Sequence, residues 1–425
     1  MIQVSMNKIN DKPLRILMPS YRSHPFTGGQ GIYMRLVTKA MVELGHTVEV
    51  VSGQPYPILD KGVKLTKLPS LDLYSFDNPL KAFRFDLLKE PINLYEWLSH
   101  LSGGFSEPYT FGERMAIWGK ENYKRFDVVH DNQTLAYGLI KLRDMGVPVV
   151  GTIHHPITMD KRIDIKHAET LSLKLLKWRW YNFLKMQIKV ARKLDPIIVV
   201  SENTRKDVVK DFKIDPKKTR KVLHGIDHKT FEPIPSITRK KNQLITTASA
   251  DVPLKGLIYL IRAYSELLNE FPDLSLVVIG KLRDGPTSNE LDKKNIKNKV
   301  KFISDLTSRE IAELYAESTI AISPSVYEGF GFPAGEAMSC GIPLISTNGG
   351  SLPEVVGDSG IIVPHSNPNE LRKAIKELLL SPEKRKEFGE KGRKRVLEKF
   401  TWKRAAKELV EVYREAISNA DNRSR

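Results

Sequence analysis

The first third of the chain alternates short apolar, β-branched runs with longer stretches whose apolar residues recur every three or four positions. That is the pattern of βα units feeding a parallel sheet. Arg15 to Pro19 (RILMP) predicts a first strand, a helix follows from about Gly31 to Leu44, and Gly45 closes it. Thr47 to Ser52 (TVEVVS) predicts a second strand, with further strands at Asp127 to His130, Val147 to Ile153 and Pro196 to Ser201. A second series starts near Gln243. It predicts strands at Leu244 to Ala248, Leu274 to Gly280, Val300 to Ile303, Ile320 to Ser323 and Pro343 to Thr347, with helical segments between them. Asp227 to Lys241 shows no periodicity and holds Pro233 and Pro235, which predicts a hinge there. The expected organisation is an N-terminal domain over 1–232, a second domain over 240–400, and a last helix over 401–425 that packs back towards the first.

A length of 425 residues agrees with two domains rather than one. The polar N-terminus does not read as a signal peptide, and no run is apolar enough for a membrane span. One cysteine, Cys340, allows no internal disulfide, which fits a reducing, cytoplasmic setting. The formal net charge of +17 is the one unusual bulk feature. It suits nucleic acid, anionic lipid or phosphorylated small molecules alike.

Chemistry concentrates in Ser323 to Gly350, SPSVYEGFGFPAGEAMSCGIPLISTNGG. A strand runs into a glycine-rich loop, Pro333 is placed to open a helix, and the helix stops at Gly341. Unpaired N–H groups at such a helix start favour phosphate, and Gly329 and Gly331 let the backbone approach it. Glu328 precedes the helix, and Glu336 is expected in its first turn. Carboxylates beside an anion site make sense if they accept hydrogen bonds from sugar hydroxyls, so the pattern points to a ligand carrying both phosphate and polyol.

Glu328 to Glu336 resembles the E-x7-E motif of the retaining family 4 glycosyltransferases, and the residues that follow are similar to that family nearly throughout. The resemblance implies a GT-B fold: α/β, two Rossmann-like domains with parallel sheets facing across a cleft. It implies Glu328 near the donor sugar, Glu336 on the nucleotide ribose, and Gly329, Phe330, Gly331 and Phe332 supplying backbone contacts to the diphosphate or sugar. Ala248 to Leu257 (ASADVPLKGL) resembles the family's strand-end segment with an Arg and a Lys on the diphosphate. Lys255 fits the Lys, and Ser249 stands where the Arg is usual. Pro25 to Gly31 (PFTGGQG) is similar to the family's first glycine loop, which puts Gly28 and Gly29 near the donor phosphate. A dinucleotide fingerprint is a poorer fit, because Met34 sits at the third glycine position and strand two ends in Ser52 without an acid. In GTIHHP (Gly151 to Pro156), His154 matches the family's T-x-H and is expected to be catalytic with Glu328, while His155 points elsewhere. His130 and Asn132 at another strand end, together with His155, are acceptor-side candidates. Leu101 to Glu113 is a lid candidate.

The implied activity is retaining transfer from a nucleoside-diphosphate sugar to an acceptor hydroxyl, with no cofactor and no metal. The expected acceptor is a glycan or a lipid-linked molecule of cell-envelope or glycoconjugate synthesis. From Lys161 to Lys221 basic residues outnumber acidic ones by roughly two and a half to one. Within that stretch Lys174 to Leu194 interleaves aromatics with cations, and Leu173, Leu176, Trp180, Leu184 and Ala191 line one helical face. That predicts either a domain helix or a peripheral contact with anionic membrane at the inner face of the cell membrane. Two alternatives stay open: another sugar-nucleotide enzyme of this architecture (an epimerase or phosphorylase) and a basic nucleic-acid-binding protein. No nucleic acid is expected as partner, since no recognised motif for it is present.

Overall fold

A computed structural model of the chain describes residues 12–25, 29–76, 78, 80, 83–248 and 252–424. Among these, strands β1 (Arg15–Ser20), β2 (Thr47–Ser52), β3 (Val63–Lys67), β4 (Val128–Asn132), β5 (Val149–Ile153), β6 (Ile197–Val199) and β7 (Thr219–Lys221) form one parallel sheet, in the order β3-β2-β1-β4-β5-β6-β7. Strands β8 (Gln243–Thr247), β9 (Ser275–Ile279), β10 (Val300–Ile303), β11 (Ile320–Ser323), β12 (Leu344–Thr347) and β13 (Ile361–Val363) form the second, in the order β10-β9-β8-β11-β12-β13. Its register is parallel throughout.

The second sheet explains why its strands read as continuous apolar runs. Successive residues serve opposite faces. Leu244, Leu276, Val278, Ile320, Ile322 and Ile345 pack with Leu260, Tyr264, Leu371 and Ile375 on one side. Their neighbours Ile245, Val277, Ile279, Ala321 and Leu344 pack with Tyr315, Met338 and Phe400 on the other. A sheet covered on both faces leaves no position for a polar alternation.

Two compact units emerge from the contacts. One holds the described residues up to Gly151 with Lys185–Pro196 and the described segment from Leu409 onward. The other holds Thr152–Leu184 and Ile197–Glu408.

Three strands were not anticipated in the sequence pattern: β3, β7 and β13. The first two lie at the edges of the first sheet, and β13 at an edge of the second. Each is short, and β3 and β7 carry lysines, so the apolar signal is weak there. The continuous helix expected over Lys174–Leu194 is instead two helices, Leu171–Trp180 and Leu184–Ala191, separated by a 3-10 turn at Tyr181–Phe183. Trp180, Tyr181 and Phe183 pack edge-on at that break. Leu101 to Glu113 is no lid. It joins the helices Pro91–Leu101 and Glu107–Asn122, and Phe105, Ser106, Glu107 and Phe111 are buried.

Candidate functional site

In the order β10-β9-β8-β11-β12-β13 the chain reverses direction between β8 and β11. At such a point the connections that leave the two strands go to opposite faces of the sheet, and ligands of open α/β sheets bind in the crevice at the strands' carboxyl ends. The loop after β8 delivers Lys255, and the loop after β11 delivers Glu328. Lys255 Nζ donates to Glu328 Oε1 at 2.7 Å, and Ser325 Oγ donates to the same oxygen at 2.8 Å. The two loops are stitched together by their backbones, with the Val326 N–H on the Leu254 carbonyl at 2.7 Å. Gly256, at φ 62°, ends the turn Pro253–Lys255 and opens the helix Leu257–Leu267. A Cβ there would stand 2.1 Å from the Pro324 carbonyl oxygen, so only glycine fits.

The Glu328 carbonyl is fixed from the other side by Ser351, whose N–H and hydroxyl both donate to it at 2.9 and 3.1 Å. Beyond it the backbone turns through Gly331, at φ 96°, into the helix Phe332–Ser339. The first N–H groups of that helix have no intrahelical partner. Glu336 lies one residue past the first turn rather than within it. Its half-buried carboxyl has no hydrogen-bond partner among the described residues, and burial, with Asp227 adding repulsion, pushes its pKa up to about 7.

His154 and His155 follow β5 and belong to this same unit. The chain passes so close that a Cβ on Gly329 would lie 2.3 Å from the His154 carbonyl oxygen and 2.7 Å from the His155 Cβ. The Gly329 carbonyl accepts from Ser201 Oγ at 3.3 Å and Thr204 Oγ1 at 3.2 Å. His154 Nδ1 meets His224 Nε2 at 2.9 Å. The buried His224 ring stacks on Phe332, 5.4 Å away at an interplanar angle of 6°, and also contacts Phe330 and Trp402. His155 turns the other way and bonds Asp160 Oδ2 at 3.0 Å.

His154, Lys255, Glu328, Gly329, Phe330, Gly331, Phe332 and Glu336 therefore all lie in one unit. Gly29, His130 and Asn132 belong to the other. Gly29, at φ 75°, caps the helix Gln30–Glu43. Asn132 Nδ2 donates to Ser20 Oγ at 3.1 Å, joining the ends of β4 and β1. His130 is buried against Tyr413, with Nδ1 2.5 Å from the hydroxyl, and burial lowers its pKa to about 3, so the ring is neutral. Gly28 and Ser249 lie outside the described residues. Sequence reasoning missed His224, Ser201, Thr204 and Ser325. Only HGID after a short polar strand marked the first, and nothing in its spacing pairs it with His154.

No group of three or more His, Cys, Asp or Glu among the described residues could hold a metal ion, and no helix there is long and apolar enough to cross a membrane.

Comparison with known proteins bears on the family and the fold. The family described as Glycosyltransferase Family 4 matches residues 27–230, and the one described as Glycosyl transferases group 1 matches 229–395. The chain is 42% identical over 410 residues to an MMP alpha-(1->4)-mannosyltransferase of Mycolicibacterium hassiacum, covering 95% of this chain and 99% of that protein. It is 25% identical over 442 residues to a D-inositol 3-phosphate glycosyltransferase of Streptomyces bingchenggensis, covering 97% and 91%. Among solved structures, sucrose-phosphate synthase from Thermosynechococcus elongatus superposes with a TM-score of 0.73 at 20% identity, over 96% of this chain and all of that one. Anabaena Alr3699/HepE in complex with UDP and glucose gives 0.69 at 16%, over 95% and all of its chain. At those identities the two structures speak for the fold alone. The readings as an epimerase or a nucleic-acid-binding protein fall away, and the chain belongs to the family 4 glycosyltransferases, with the GT-B architecture of two parallel sheets.

Proposed function

We propose that this glycosyltransferase moves a mannosyl residue, with retention of anomeric configuration and without a metal ion, from a nucleoside-diphosphate sugar to a hydroxyl of a glycan acceptor, free or lipid-linked. The observation that carries the reading is the Lys255–Glu328 pair at the reversal point of the second sheet, beside the start of the helix Phe332–Ser339. The identity to a mannosyltransferase supports the sugar and a saccharide acceptor. The single buried Cys340 fits a reducing, cytoplasmic setting.

Lys255 and the helix N-terminus act on the diphosphate. As the bond from the anomeric carbon to the phosphate oxygen breaks, negative charge grows on that oxygen, and a fixed cation and aligned N–H groups stabilise it. The acceptor oxygen bonds to the anomeric carbon on the same face, and its proton passes to the departing phosphate oxygen. Glu328 accepts from sugar hydroxyls on one side while held by Lys255 and Ser325 on the other. Glu336 takes the ribose hydroxyls. His154 orients the donor sugar.

The test is a thermal-shift panel of UDP, GDP, ADP and CMP with their sugar conjugates, with and without EDTA, followed by NMR of the product anomer. A ligand that binds only the folded state raises its melting temperature. One nucleotide raising it, unaffected by EDTA, and an α product from an α donor are expected. An inverted product, or activity lost to EDTA and restored by a divalent ion, would sink the corresponding part of the reading.

A further inference from the structure

The helix Leu171–Trp180 is unusual for a globular enzyme. None of its residues is buried, yet it carries five exposed large apolar side chains: Leu171, Leu173, Leu175, Leu176 and Trp178. The preceding helix, Thr158–His167, buries none of its residues either. Thr170 caps the second helix by accepting from the Leu173 N–H, so the segment is a formed helix with a defined orientation.

Its faces are distinct. At about 100° per residue, Leu171, Leu175 and Trp178 fall within roughly 60° of one another. They are also the most exposed of the five, at 73%, 60% and 51%. On the same wheel Lys174, exposed, lies on one flank of this stripe and Arg179, half-buried, on the other. Lys177 points away and bonds Asp164 of the preceding helix at 3.1 Å, as does the Tyr181 hydroxyl at 2.9 Å. Those bonds mark the side that faces the preceding helix, with Leu173 beside it and Leu175 farthest from it. The face that the sequence pattern singled out, Leu173, Leu176 and Trp180, is therefore not the outermost one. Beyond the 3-10 turn, Leu184, Met186, Val190 and Ala191 are buried, so the solvent-facing apolar surface ends near Trp178.

We propose that the stripe Leu171, Leu175 and Trp178, with Lys174 and Arg179 beside it, docks this enzyme on an anionic membrane surface. Leucines enter the acyl boundary, an indole sits at the headgroup level, and long cationic side chains reach up to phosphates while their stems cover apolar area. The alternative occupant, a second copy of the chain, is disfavoured by charge. A two-fold contact through the stripe would bring Lys174 and Arg179 of both copies together, in a chain of formal charge +17. The inference concerns attachment and does not depend on which sugar is transferred.

Vesicle sedimentation of the full chain tests it. The protein is expected to pellet with vesicles containing phosphatidylglycerol at about 50 mM salt, to pellet poorly with pure phosphatidylcholine, and to be released at about 500 mM salt. The double variant Leu175→Ser/Trp178→Ser should lower the bound fraction roughly tenfold. Lys174→Glu/Arg179→Glu should lower it similarly, and Leu397→Ser, at an exposed leucine elsewhere, should leave it unchanged. All three variants should keep wild-type donor binding, since none touches the site. Failure to pellet with anionic vesicles at low salt overturns the proposal, as does equal binding of wild type and the Leu175/Trp178 variant. A halved solution mass of that variant by light scattering would reassign the stripe to self-association.

Discussion

His224 Nε2 and His154 Nδ1, seventy residues apart in the chain, stand 2.9 Å from each other. At that distance one nitrogen donates and the other accepts. With His224 as donor, His154 keeps its own proton on Nε2 and presents a hydrogen-bond donor there. The stacked Phe332 ring fixes the plane of His224, and so the plane of this bond.

His224 is thus a positioning residue for His154. His224→Ala should lower kcat roughly 10- to 100-fold while leaving the nucleotide dissociation constant within about twofold, by analogy with the loss of other orienting partners. His224→Asn, whose amide can still donate, should recover part of kcat. A purely structural role would instead weaken nucleotide binding and kcat together and show no rescue, which steady-state kinetics with calorimetry distinguishes.

Lys255→Ala removes a cation from the diphosphate position and leaves Glu328 with Ser325 alone. Loss of a charge-assisted hydrogen bond of this kind costs about 1.5–3 kcal/mol, so the nucleoside-diphosphate dissociation constant should rise roughly 10- to 150-fold by titration calorimetry. A nucleoside without phosphates should bind the variant and the wild type equally. Lys255→Arg should fall between.

Glu336 gives a pH prediction. Its carboxyl titrates near 7 rather than in the usual carboxylate range, so folding favours the protonated form. That group makes the fold progressively less stable as pH rises from about 4.5 to 7, with the full penalty above. Ribose hydroxyls supply donors to the ionised form, so donor affinity should increase with pH across the same range. Glu336→Gln should flatten that dependence, weaken donor binding about tenfold at pH 8, and raise the melting temperature there.

Gly256→Ala tests the loop geometry. A left-handed backbone and a methyl 2.1 Å from the Pro324 carbonyl oxygen together cost about 1–3 kcal/mol or force the loop to move. Scanning calorimetry should show a lower melting temperature, and nucleotide affinity should drop with it, because Lys255 is the preceding residue.

Much of the fold was legible because both sheets are parallel and covered, which writes long apolar runs into the chain. Thr47–Ser52, Val300–Ile303 and Ile320–Ser323 match the pattern to the residue. The crevice loop was legible too, since Gly331, Pro333 and the two glutamates are local signals. Contacts made across long separations were not. Nothing in the spacing says that Ser201 and Thr204 hold the Gly329 carbonyl, or that an aromatic wall around His224 faces His154. The amphipathic segment misled in a different way. Helical periodicity gave its inner face, while the outer stripe became visible only once the break at Tyr181–Phe183 set which side the rest of the chain covers.

The Gly329 backbone has a consequence for anyone building hybrid enzymes. Transferases of this kind invite recombination at the seam between their two matched regions, near residues 229 and 230. Yet Gly329 is clamped by His154, Ser201 and Thr204, and Phe332 is paired with His224, all from the N-terminal side of that seam and all within one compact unit. A chimera cut there inherits a crevice loop from one parent and the groups that seat it from another. Grafts that carry 152–184 and 197–228 along with the C-terminal half keep the seating intact.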